Sequence, residues 1–431
     1  MIIFNSQQVQ IADGQFDLEQ IYQSAGNTGM VSKTGDHSYF IHGDLIIGNG
    51  TDNTLLLIQN QSLEMSGDRC QVLKKATFQL GHLNSDGSTQ NGASFYAPNI
   101  KLAYGFGSDS VINGQTQSGD LKLYGSRIDA FGFWGFFGGI DQIVDIRDCI
   151  INGFGRIEGS QSILKNVSFE KANGRYGILS PKGEIAQLEQ ITVKQSVSQN
   201  GQKCEVYLNP SFVDSLIIRD GVFANYEQLV YCESSSKSTP VFAELIDCSF
   251  DNGVSGFFSD DGTVIYESYT FNALLLDIDG LPIDGANVTL SNAQGKTVFT
   301  ATTQAGLIDT IVRVKQVSKS EEIIFNPFIL AVEKSGVVST WKFSIHNAFK
   351  SMPFYLVEAS QASTGNTQTS AGISQQDIDL IKAVLTGRRK LDKSTNTLTH
   401  YYADGTEAVK FNTLDSNSNP STDAVYEVIP L

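Results

Sequence analysis

Apolar residues in the first two-thirds of the chain recur in a short motif: apolar, polar, Asp/Asn/Gln-like, small or apolar, variable, apolar or aromatic. Clear copies are Ile146–Ile151, Leu164–Phe169, Leu188–Val193, Ile218–Phe223 and Leu245–Phe250, with a looser copy at Tyr266–Phe271. Their third positions fall at 148, 166, 190, 220, 247 and 268, giving steps of 18, 24, 30, 27 and 21 residues. Steps of ~20–30 residues with variable loops belong to a solenoid. Within each copy alternate residues face one way, the period of a strand, and no 3.6-residue period is sustained. Positions 151, 169, 193, 223, 250 and 271 (Ile, Phe, Val, Phe, Phe, Phe) are expected to stack as one inward column. The polar third position marks a bend between two short strands, which Asp and Asn tolerate. The pattern predicts a parallel β-helix.

The segments Ile163–Phe169 and Leu245–Phe250 resemble rungs of right-handed, pectate-lyase-like β-helices, an architecture found in phage tailspikes and fibres. The likeness covers roughly residues 40–275, with Asp44–Gly48 and Thr54–Ile58 as early rungs. Residues 1–40 are read as an N-terminal cap or attachment segment. Within it, 8–32 would cover the end of the coil and Phe16–Tyr22 would form a short helix. Such a cover is needed because a solenoid end exposes unpaired sheet edges. The β-helix proper is assigned to 41–273.

From about Leu274 the motif stops. Asp279-Gly280 and Asp284-Gly285 are turn signals, and Val288 and Leu290 alternate as in a strand. Further strands are expected at Thr297–Thr302, Thr310–Val314, Ile323–Leu330 and Val337–Ile345. These turns, with Pro282, Gly295 and Thr303–Gly306, resemble the carboxypeptidase-regulatory-like, transthyretin-like (Ig-like) β-sandwich, which implies a spacer or binding module over 274–358. Residues 359–371, rich in Ser, Thr, Gln and Gly, read as a linker. In 372–431, Ser374 and Asp377 open a helix whose Ile378, Ile381 and Leu385 share a face, and Leu398–Tyr402 with Glu407–Leu414 read as a hairpin. The tail, with Tyr401–Thr406, is similar to C-terminal segments of phage structural proteins. The fold class is therefore mainly β: a right-handed parallel β-helix, a β-sandwich, and a small helix-plus-hairpin module.

Composition narrows the function classes. Thirty Lys+Arg against 46 Asp+Glu leave a net charge of −16 over 431 residues. A field of that sign repels phosphate backbones and argues against general nucleic-acid binding. No apolar run approaches the ~18 residues of a membrane helix, and the start, Met1–Asn5, lacks the basic region of a secretory signal. Five cysteines without CxxC or Cys/His clustering argue against a disulfide framework or zinc site, and for synthesis in a reducing cytosol.

Local catalytic motifs are missing from the sequence. The histidines 37, 42, 82, 346 and 400 form no HExxH or Cys/His ligand set, and no nucleophile elbow, Walker loop or dinucleotide fingerprint occurs. Neither metal nor cofactor is expected. The carboxylates Asp145, Asp148, Asp220 and Asp247, with Glu244 beside them, lie on or next to rungs. They read first as bend-stabilising and solvated; if the protein were an enzyme, two on stacked coils would supply the paired acids of glycoside cleavage. Pectate-lyase-type Ca²⁺ chemistry would need clustered carboxylates plus a basic residue; Arg147 and Arg219 are available, without a specific motif. The aromatic run Phe131–Phe137, with Phe133, Trp134, Phe136 and Phe137, reads as core or subunit contact, with a sugar-stacking platform as the functional alternative. Cys149 and Cys248 share one inward rung position and read as small buried hydrophobes.

The resemblance implies a non-enzymatic virion protein, a tail-fibre- or tailspike-like shaft with a spacer and an attachment module. It would be made in the host cytoplasm, would be homo-oligomeric, in the manner of a trimer, and would meet other virion proteins and host surface polysaccharide. The rival expectation is a tailspike-type polysaccharide depolymerase, a hydrolase or lyase using the rung acids. A bacterial surface adhesin fits less well without a signal peptide.

Overall fold

The structure, a computed structural model, describes residues 1–98, 108–112, 115–117, 119–130, 143–152, 161–174, 185–194, 196–198, 204–208, 210, 214–235, 237, 239–356, 389–392, 397–401, 407–414 and 427–430. Phe133, Trp134, Phe136 and Phe137, the linker 359–371 and the expected helix at 374–387 lie outside these residues. The chain divides into two compact units, Met1–Leu356 and Val357–Leu431.

The first unit is mainly β, with one α-helix among the described residues, and is dominated by a long, largely parallel sheet with β-helix-like stacking. One stack of parallel strands runs through Thr54–Ile58, Ala76–Leu80, Asp120–Tyr124, Ile143–Asn152, Gln161–Gly174, Ile185–Val193, Ser215–Arg219, Val241–Ile246 and Thr263–Leu276. Its register aligns Ile58, Leu80, Leu123, Ile146, Leu164, Leu188, Ile218 and Leu245, all buried, as one aliphatic column.

A second column follows the bend. Tyr39, Leu63, Phe95, Ile128, Ile151, Phe169, Val193, Phe223 and Phe250 pair in succession. All but the half-buried Phe250 are fully buried, and the Phe223 and Phe250 rings stack 6.0 Å apart and nearly parallel. Each large side chain so buried contributes ~1.5–3 kcal/mol by leaving water. Five of the six positions aligned from the sequence, 151 to 250, share this column.

Phe271 does not, and this corrects the expected alignment. Thr263–Leu276 runs straight on past the bend position, pairing antiparallel with Leu307–Val317 and parallel with Phe349–Tyr355. Phe271 thereby enters a second core, stacked 5.4 Å from Phe343 and close to Phe349 and Phe354. The third position explains the difference. Asp148, Asn166, Gln190, Asp220 and Asp247 all adopt positive φ, between 52° and 54°. The looser copy has Ser268 there, without positive φ, and its hydroxyl donates instead to Glu244 at 2.8 Å. Without a left-handed residue the strand has no corner to turn.

Stacking begins inside the stretch read as a cover: Gln8–Ile11 pairs parallel with Asp44–Ile47, and Gly14–Phe16 with Thr54–Ile58. The helix occupies Leu18–Ala25 and is capped by Asp17, which accepts from Gln20 N at 2.8 Å while its own N–H donates to Gln20 Oε1 at 2.9 Å. Leu18, Ile21 and Ala25 are buried in the main core. Beyond the coils, Asn287–Ser291, Thr297–Thr302, Phe328–Lys334 and Val337–Phe343 form a four-stranded antiparallel sheet contributing to the second core. The strand expected over Ile323–Leu330 is divided into Glu322–Ile324 and Phe328–Lys334 around Pro327, as a residue lacking an N–H donor favours. In the second unit, Thr397–Tyr401 and Glu407–Leu414 pair antiparallel as the hairpin reading expected, flanked by Arg389–Asp392 and Glu427–Pro430.

Candidate functional site

Asp148, Asp220 and Asp247 sit at the left-handed bends, where the fold puts the Asp148 and Asp247 carboxylates to local use. Asp148 accepts from Asn166 Nδ2 at 2.7 Å and Thr89 Oγ1 at 2.8 Å. Asp247 accepts from the N–H of Thr270 at 2.7 Å and from its hydroxyl at 2.5 Å. Asp145 lies on the strand Ile143–Asn152, nearly buried; it receives Tyr124 Oη at 3.1 Å and the Arg147 guanidinium at 2.7 and 3.2 Å. Burial, reinforced by this carboxylate, pushes the Tyr124 hydroxyl well above its ordinary range.

The bend ladder runs 148, 166, 190, 220, 247 on successive coils. Coils spaced ~4.8 Å apart put Asp148 about 14 Å from Asp220, beyond the ~5–9.5 Å of a working acid pair. Asp220 and Asp247 are neighbours on adjacent coils, with the Asp220 N–H donating to Ile246 O at 2.9 Å. They are the pair among the four candidates that the ladder stacks coil on coil. Among the described residues no group of three or more His, Cys, Asp or Glu side chains is placed to hold a metal, and no helix is long and apolar enough to cross a membrane.

A different constellation gathers where the last parallel strands meet the antiparallel sheet of the same unit. Glu244, on Val241–Ile246, lies between Ile217 and Tyr266 in register on neighbouring strands. Arg313, on Leu307–Val317, grips Glu244 with two hydrogen bonds of 3.0 and 3.1 Å. Its guanidinium lies 3.9 Å from the centre of the Tyr266 ring and 5.4 Å from that of Phe242. Burial pushes the Glu244 carboxyl upward, but the Arg313 and Ser268 hydrogen bonds and the charges of Arg313 and Arg219 outweigh it, holding the group below the usual glutamate range.

Beside this pair opens a cleft of about 550 Å³. One wall carries Ile217 and Arg219 from the parallel strands; the other carries Asn292, Lys296 and Val298 from the hairpin Asn287–Thr302. Asn292 is 4% exposed, and its Oδ1 accepts from the N–H groups of Gln294 at 3.1 Å and Lys296 at 3.0 Å. Its Nδ2 has no partner among the described residues. Arg219 and Glu244 were legible as rung-side charges, whereas Asn292, Lys296 and Arg313 were missed. Nothing local in the sequence marks these three, because the packing of one sheet on another brings them to the cleft.

No protein-family model matches the sequence, and no curated protein is significantly similar to it.

Proposed function

We propose that the chain is a non-enzymatic structural or adhesive fibre-like protein of a phage particle, with a right-handed parallel β-helix as shaft and a transthyretin-like sandwich as spacer. The C-terminal module serves attachment or assembly, the protein acts as a homo-oligomer, in the manner of a trimer, and its surface meets host glycans. The observation that carries the reading is the unbroken column from Tyr39 to Phe250, nine side chains stacked coil on coil. Close-packed side chains in rotamer wells transmit load without yielding, which suits a shaft. The bend carboxylates Asp148 and Asp247, bonded to groups on neighbouring coils, fit the same role.

Mass spectrometry of purified virions tests the assignment: this polypeptide should be present, and its absence would overturn the virion role. Light scattering should give a multiple of the 46.9 kDa chain. The depolymerase alternative draws on Asp220 and Asp247, the stacked acids. Incubation with capsular polysaccharide or lipopolysaccharide should release no reducing ends; release that is abolished in a folded Asp220→Asn or Asp247→Asn variant would establish the enzyme instead.

A further inference from the structure

We infer that the cleft between the last parallel strands and the hairpin Asn287–Thr302 binds an acidic saccharide, a sugar carrying a carboxylate or phosphate. Charge is the first argument. The chain carries −16 overall, yet the charged residues lining this cleft are Arg219, Lys296, Arg313 and a single acid, Glu244. Arg313 neutralises Glu244 through two hydrogen bonds. Arg219 and Lys296 have no carboxylate within ion-pairing distance among the described residues. Arg219 acts on Glu244 at longer range, so three cations facing one carboxylate leave an excess of positive charge, which concentrates an anion in the cleft against the repulsion of the protein as a whole.

The second argument is the Asn292 amide. It is almost wholly buried, and its oxygen is consumed by two backbone N–H groups, which fixes its orientation and leaves Nδ2 as a donor at the cleft. That donor keeps contact with solvent, so a ligand oxygen can take the place of water there. An anion's oxygen or a ring hydroxyl answers it directly. Apolar contact surface is the third argument. Ile217, Val298 and Ile311 are 37%, 43% and 41% exposed, large hydrophobics left in solvent on one cleft. Together with Tyr266 they match the C–H faces of a pyranose and offer nothing to a bare inorganic ion. Anionic group, hydroxyls and apolar ring faces are combined in an acidic sugar.

The inference rests on the adhesive part of the reading above, and the two fail separately. Ligand-observed NMR on the full chain, with glucuronic acid, N-acetylneuraminic acid and glucose 6-phosphate as probes and glucose and inorganic phosphate as controls, provides the test. At least one acidic sugar should bind ~10-fold more tightly than either control. Lys296→Glu should weaken that binding by ~10-fold or more, and so should Asn292→Asp, which keeps the two backbone bonds while replacing the donor by an acceptor. Lys296 is exposed, so its variant reports on the site even if Asn292→Asp impairs folding. Acidic sugars that bind no better than glucose or phosphate, or binding indifferent to Lys296→Glu, would overturn the site. A chain present in virions that ignores these sugars loses the site and keeps the fibre reading. Sugar binding by a chain absent from virions does the reverse.

Discussion

A left-handed backbone is unfavourable for most L-residues by ~1–2 kcal/mol, and Asn, Asp and Gly tolerate it best. At the bends Asp148, Asn166, Gln190, Asp220 and Asp247, as at Asn60, Asn91 and Asn225, the coils meet that cost. Asp148 and Asp247 recover some of it by bonding to neighbouring coils, whereas Asp220 has no side-chain hydrogen bond among the described residues. Asp220→Gly should therefore leave the urea midpoint nearly unchanged, and Asp220→Val should lower stability by ~1–2 kcal/mol. Equal effects of the two would remove backbone conformation as the reason for the acid. One residue further on, Cys149 and Cys248 point inward, each accepting a backbone N–H, from Ser126 at 3.5 Å and Gly221 at 3.3 Å. Burial pushes both thiols up to about 12. The thiolate is the reactive form, so neither should react with an alkylating reagent in mildly alkaline native buffer, and both should react in guanidinium. Rapid native labelling at either position, mapped by peptide mass spectrometry, would contradict their placement.

In each coil the chain turns a corner at such a bend, and the coil's stability lies in what the flanking strand segments turn inward. Phe169 is paired in register with Ile151 and Val193 and is fully buried. Phe169→Asp places an unpaired charge between two apolar neighbours, so a loss of more than ~4 kcal/mol is expected; a folded variant with an unshifted Tm would mean that the site opens to water. The helix Leu18–Ala25 is fastened differently. Glu19 accepts from Tyr39 Oη at 2.5 Å, Lys33 Nζ at 2.9 Å and Gln23 Nε2 at 2.6 Å. The Tyr39 bond first, then those of Lys33 and Gln23, hold its carboxyl at about 2. A carboxyl depressed in the folded state stabilises above its unfolded pKa and loses that contribution as protons bind. Wild type should thus melt above Glu19→Gln at neutral pH, and the two should converge as pH falls from about 4.5 towards about 2. A difference in Tm that stays constant across that range would show that the latch is not ionic.

The two compact units set the expectation for the intact chain. Residues 359–371 are polar and low in complexity, the composition that proteases reach first. Limited proteolysis should therefore cut there and release a fragment that contains Met1–Leu356. Deletion of 372–431 should leave the stacked core folded while weakening oligomerisation or attachment, as judged by thermal melts and light scattering. Global unfolding on that deletion would show that the tail belongs to the main core.

Much of the stacked architecture was legible because its signals are local. Alternation fixes which side chain faces inward, and Asp, Asn or Gln at the third position announces a corner, so five positions of one column followed from spacing alone. The sixth breaks the same rule: Ser268 lacks a left-handed conformation, and the strand continues to deliver Phe271 to another core. Coils of a solenoid stack in chain order, so Asp220 beside Asp247, and Asp148 away from both, also follow from the ladder of third positions. What spacing does not contain is which segments beyond the ladder pack against it. The cleft depends on that, because Arg219, Glu244, Asn292 and Lys296 come from strands and a hairpin with unrelated local patterns. Only the packing of the antiparallel sheet against the last coils sets those charges side by side, since an interaction between distant segments leaves no periodic trace in either.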